Sequence, residues 1–258
     1  MNFLCRFITK KMTTLDLSGK NLTELPELPE GLLHLDCSYN QLSTLPELPK
    51  GLLYLECYSN QLTTLPALEL KRLDCSYNQL TTLPNLSLKL QYLNCSHNQI
   101  TELSKLPIGL LQLYCSHNQL TELSELSPDL QKIYCHNNQL TILPELPIGL
   151  QVLHCYCNQL TTLPELPQSL QELWCNNNHL VMLPPLKLQY LDCSHNQLAA
   201  LSIITGLLWL DCSDNQLAEL PELPTGLRYL NCSDNQLTTL SELSFGLLLR
   251  LVCSKNQY

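Results

Sequence analysis

The chain has 258 residues, 45% of them apolar and only 14% charged, with a formal net charge of −9. That acidic balance excludes the basic stripe by which nucleic-acid binders hold phosphate. Sixteen prolines exclude long uninterrupted helices, and no apolar run reaches the roughly 18 residues of a helical membrane span.

Residues 1–11, MNFLCRFITKK, are mixed in character and lack the apolar core and cleavage site of an export signal. They are expected to form an N-terminal capping segment, as one extra strand with Phe3, Cys5 and Phe7 or their alternates turned inward. Without export the chain belongs in a reducing, cytoplasmic compartment. Its 14 cysteines are then thiols rather than a disulfide framework.

From Met12 onward one unit repeats to the C-terminus. Cysteines recur at 37, 57, 75, 95, 115, 135, 155, 175, 193, 212, 232 and 253, and Leu17 holds the same place 20 residues before the first of them. Most steps are 20 residues, with 18, 19 and 21 as variants. A period of this length marks a solenoid, here of about thirteen coils over residues 12–258. One coil reads L-x-x-L-x-C-x-x-N-x-L-T-x-L-P-E-L-P-x-G. In L-x-x-L-x-C the last three alternating places have period two, so leucine and cysteine face one side and the intervening residues the other. Each coil therefore supplies a short strand, and the strands stack in parallel about 4.8 Å apart. The remainder is too short and proline-rich for a helix, and LPELP is expected to run extended, near polyproline II. The predicted fold is mainly β: a curved, right-handed coil stack roughly 60 Å long, with a parallel sheet on its concave face and almost no α-helix.

The pattern resembles the leucine-rich repeat, L-x-x-L-x-L-x-x-N-x-L, with cysteine in place of the third leucine. In one coil Leu70, Leu73, Cys75, Asn78 and Leu80 fill its fixed places. The tail LPELPxGL is similar to the short subclass of bacterial secreted effectors of the YopM and invasion-plasmid-antigen type, and cysteine-bearing versions look like repeat proteins of giant DNA viruses and some bacteria. The resemblance implies a solenoid that binds a protein partner, with no cofactor. Some effectors of this subclass carry ubiquitin-ligase activity in a separate helical domain with a C-x-D motif. Cys212-Ser213-Asp214 and Cys232-Ser233-Asp234 match that string, but both are repeat units with an inward cysteine, so no catalysis is expected.

The remaining fixed residues have structural readings. The inward cysteine is a small buried hydrophobe. The asparagine at 40, 60, 78 and onward sits where the chain leaves the strand, and its amide can serve unpaired backbone groups as a ladder between coils. Lys20 holds this place in the first coil, so the ladder starts in the second. His97, His117, His136, His154 and Cys157 have metal-ligand chemistry without the tight spacing of a structural zinc site, and no metal is expected.

Specificity must then come from the outward strand places. The residue before each inward cysteine runs acidic at Asp36, Glu56 and Asp74, aromatic at Tyr114, Tyr134, His154 and Trp174, then acidic again at Asp192 and Asp211. Two residues further on, usually serine, the aromatic block adds His136 and Tyr156. Large amphipathic side chains on a rigid face suit an interface, although strands also favour such ladders for their own stability. Like charges stacked along Asp36, Glu56 and Asp74 suggest a basic partner segment or a bound cation, partly relieved by His34 and Arg72. The last residues, CSKNQY, put Tyr258 in a leucine place and leave an open sheet edge, which suggests self-association through an end.

Overall fold

The computed structural model describes residues 12–240 and 248–257. Its strands are β1 (Thr14–Asp16), β2 (His34–Asp36), β3 (Tyr54–Glu56), β4 (Arg72–Asp74), β5 (Tyr92–Asn94), β6 (Gln112–Tyr114), β7 (Lys132–Tyr134) and β8 (Val152–His154). They continue with β9 (Glu172–Trp174), β10 (Leu186–Lys187), β11 (Tyr190–Asp192), β12 (Ile204–Thr205), β13 (Trp209–Asp211), β14 (Tyr229–Asn231) and β15 (Arg250–Val252). All but β10 and β12 form one parallel sheet of 13 strands in sequence order. No helix occurs among the described residues. The predicted solenoid is therefore the observed one. The expected inward residues of the first segment and Tyr258 lie outside the described residues.

Each strand of the large sheet is only three residues long, yet the register is strict. Tyr114 pairs with Tyr134, and Tyr134 with His154, in unbroken one-to-one alignment. The alternation does this. The central leucine and the following cysteine point into a continuous core, as with Leu55 and Cys57, both wholly buried. Slipping one residue would turn that core outward. The cysteine N–H extends the ladder beyond the strand, as from Cys75 to the Asn94 carbonyl at 2.8 Å.

Two turns fold the coil back. In the first, a non-glycine residue adopts the left-handed conformation in every coil from the second on, among them Tyr39, Tyr77, His97 and His117, with φ near +53°. Asparagine, aspartate and histidine tolerate this best and fill seven of the twelve places, while Gly19 takes the place in the first coil. The ladder asparagine that follows locks the turn. Asn60 donates to the Cys37 carbonyl at 3.0 Å and to the Cys57 carbonyl at 3.1 Å, and accepts from the Leu42 N–H at 3.0 Å. In the second turn the Leu52 N–H closes onto the Pro49 carbonyl, and its equivalents at Leu110, Leu150 and Leu170 do the same. This reverses the chain into the next strand.

The convex side contains one feature that periodicity did not predict. β10 and β12 pair in parallel, Leu186 with Ile204 and Lys187 with Thr205. These segments lie in the shortened coils between Cys175 and Cys212 and contain no proline, so their N–H groups remain free to pair.

Candidate functional site

The concave face carries two parallel rows of outward side chains, one from the first residue of each strand and one from the third. Strict register places each side chain about one strand spacing from its counterpart. Planar groups can therefore stack. Along the third-residue row Tyr114 stacks on Tyr134 with centroids 4.6 Å apart, Tyr134 meets His154 edge-on at 4.5 Å, and His154 stacks on Trp174 at 4.5 Å. The stack extends below Tyr114 through Tyr92 at 5.3 Å. There the Arg72 guanidinium lies 3.5 Å over the Tyr92 ring centroid. Beside it His136 stacks on Tyr156 at 4.2 Å.

The structure thus brings Tyr114, Tyr134, His136, His154, Tyr156 and Trp174 into one patch, but they are not equally presented. Trp174 is 36% exposed, whereas His154 is 8% exposed and hydrogen-bonded through Nε2 to Glu172 at 2.9 Å. His154 holds its neighbours in place more than it offers a surface. Burial lowers its pKa, with Glu172 opposing. His136 is pushed down to about 4 by burial and then by the nearby His117, His154 and His97 charges. Its Nδ1 is buried without a hydrogen-bond partner.

The acidic residues fall into two separate groups, at β2–β4 and at β11–β13. Sequence reasoning missed a job that four of them share. The Asp36 carboxylate accepts from the Ser38 N–H at 2.9 Å and from its hydroxyl at 2.6 Å, and Asp74, Asp192 and Asp211 bind Ser76, Ser194 and Ser213 alike. Asn94 and Asn231 serve Ser96 and Ser233 from the same place. The recurring pair of Asp or Asn two residues before Ser was the available signal. One oxygen of each aspartate therefore shapes the strand exit and the other faces the concave side. For Asp74 and Asp211 that second oxygen accepts from Asn94 and Asn231. Glu56 is relieved by Arg72 at 3.6 Å, as its neighbour in the next strand allows.

A second ring stack was also missed. Tyr77, His97 and His117, all left-handed turn residues, stack at 4.0 and 3.9 Å along the edge of the concave face. His136 meets His117 edge-on at 5.5 Å. Among the described residues no group of three or more histidine, cysteine, aspartate or glutamate side chains is arranged to hold a metal ion. Eleven repeat cysteines are buried free thiols, and burial raises their pKa, to about 12 for Cys135.

Comparison with known proteins agrees with this geometry. Family models described as Leucine Rich repeats (2 copies) and Leucine Rich Repeat match residues 69–108 and 226–248. No curated protein sequence matches the chain. Among solved structures it is similar to YopM from Yersinia enterocolitica WA-314, with 38% identity over 94% of this chain and a TM-score of 0.82. The chain spans 59% of that protein's length. YopM from Yersinia pestis is 33% identical over 95% of this chain and 83% of its own, with a TM-score of 0.81. The functional domain of InlJ from Listeria monocytogenes, described as including a cysteine ladder, is 27% identical over 94% of this chain and 53% of its own, with a TM-score of 0.70. The chain belongs to the leucine-rich-repeat family, in the effector-like group with repeats of about 20 residues.

Proposed function

We propose that this protein is a non-catalytic scaffold that binds a partner protein on its concave face, in a reducing cytoplasmic setting. The supporting observation is the ring stack from Tyr92 to Trp174, held in register by four adjacent strand pairings. Such a stack costs little side-chain entropy to bury, because its rings are already fixed by one another. No bond-making chemistry is part of the reading: eleven repeat cysteines are buried, and burial holds thiols such as Cys115 protonated. A basic partner segment suits the net charge of −9. Self-association through the terminal coils is the alternative partner class.

The mutual stacking of the rings also favours a second reading, a ladder that serves only the stability of the sheet. The Tyr114→Ala, Tyr134→Ala double variant separates the two. On the binding reading, a protein captured by the wild type and then produced in pure form loses at least tenfold in affinity, about 1.4 kcal/mol, while the variant still melts cooperatively. If affinity is unchanged and the melting temperature alone falls, the rings are structural and the binding reading is lost.

A further inference from the structure

Two of the ring stacks on the concave face are each closed at the outer end by an arginine of the chain itself. Arg72 lies 3.5 Å over Tyr92, and Arg250 lies 5.7 Å over Tyr229. The inner ends, Trp174 and Trp209, have no such arginine over them among the described residues. Trp174 stacks on His154 with planes 6° apart, and Trp209 stacks on Tyr229 with planes 7° apart. The opposite face of each indole is therefore turned toward the strand between them, β11. Tyr190 of that strand is 42% exposed and stacks on no ring among the described residues.

The same strand places Asp192 in register with Trp174 on one side and with Asp211 on the other. Neither aspartate has an ion pair among the described residues, whereas Glu56 has Arg72. Burial, and after it the Asp211 charge, raise the Asp192 pKa against the pull of the Ser194 hydrogen bonds. Indole faces without a ring partner and carboxylates without an ion pair thus meet at one place, in the arrangement that Arg72 closes between Tyr92 and Glu56.

We propose that the gap between Trp174 and Trp209 seats an arginine side chain of the partner protein, its guanidinium lying on an indole face and paired with Asp192 and Asp211. This rests on the concave-face reading and names the chemistry that the face selects. Arginine fits better than lysine because its planar, weakly hydrated group stacks on a ring while its donors reach carboxylates. An acidic chain with two adjacent carboxylates on this face that lack an ion pair among the described residues, although hydrogen-bonded to Ser194, Ser213 and Asn231, is complementary to such a partner.

The chain's two tryptophans are Trp174 and Trp209, so its indole fluorescence reports on this place alone. A blocked Gly-Gly-Arg-Gly-Gly peptide is titrated into the full chain beside its lysine and citrulline counterparts. The expected result is a saturable emission change with the arginine peptide, about tenfold weaker binding by lysine and no response to citrulline. Asp192→Asn lowers the arginine affinity about tenfold. That variant retains the serine bonds, because Asn231 already accepts from both the N–H and the hydroxyl of Ser233. An absent response, or an equal one to citrulline, overturns the proposal. So does an emission change produced by calcium or magnesium chloride that the peptide cannot displace, or one that follows protein concentration alone and so places a second copy in the gap. If the peptide binds while the Tyr114, Tyr134 variant keeps its partner, the seat stands and the wider reading of the aromatic face falls. Loss of partner without a peptide response has the opposite meaning.

Discussion

At the residue scale, the chain shows how one side-chain type is assigned opposite work by its place in the coil. Asn118 is 9% exposed and spends its whole amide on backbone: it donates to the Cys95, Cys115 and Ser116 carbonyls and accepts from the Ile100 N–H. Asn94, on the strand, stands in for an aspartate and binds the N–H of Ser96. Removing the first should strand several buried groups at once. Asn118→Ala is expected to cost about 3 kcal/mol in urea unfolding, against less than about 1 kcal/mol for Gln119→Ala at the exposed place beside it. The ladder role was legible because a fixed residue at the strand exit has backbone to satisfy. The Asp–Ser pairing was hidden, because a row of aspartates reads first as charge, and only coordinates show one oxygen turned to the backbone two residues on.

At the element scale, the strands supply spacing and the side chains supply sequence. Composition and period two sufficed to place Tyr114, Tyr134 and Trp174 on one face. They could not tell that His154 would be buried, nor that Arg72 would cap Tyr92, since those outcomes depend on conformers chosen against a neighbour in the next coil. The turn stack of Tyr77, His97 and His117 escaped for the same reason. The imidazoles here make the element sensitive to acid. The folded pKa of His136, about 4, lies below its ordinary 6.5, so the folded chain binds this proton less readily than the unfolded one. The sign follows: stability is full above about pH 6.5 and is lost as pH falls toward 4. His97 and His154 shift in the same direction. His136→Phe keeps the stack on Tyr156 and removes the titration. Its melting temperature should fall less than that of the wild type between pH 7 and pH 5, measured by circular dichroism.

At the scale of the whole molecule, nearly every contact joins a coil to its neighbour, so stability is a sum over interfaces rather than the property of a single centre. Local opening should then begin at particular coils and expose their thiols. In native protein labelled briefly with iodoacetamide, Cys157, which lies at a left-handed turn, and Cys253 should react before the eleven buried cysteines. Mass spectrometry of the peptides gives the order. Rapid labelling of Cys115 or Cys135 under native conditions would contradict a closed core. The array itself was readable from the period alone, because thirteen copies average out every local exception. Its two convex strands were not, because they arise from the exceptions.

Those strands have a geometric effect. Parallel pairing fixes the distance between chains at about 4.8 Å wherever it occurs. In most coils only the inner side is held this way, and the wider outer arc is what bends the rod. In the coils carrying β11 and β13, β10 and β12 impose the same spacing on the back. Equal spacing at front and back leaves no room for a bend between those two coils. Asp192 and Asp211 thus stand where front and back are held at one spacing, a local geometry suited to an extended partner segment.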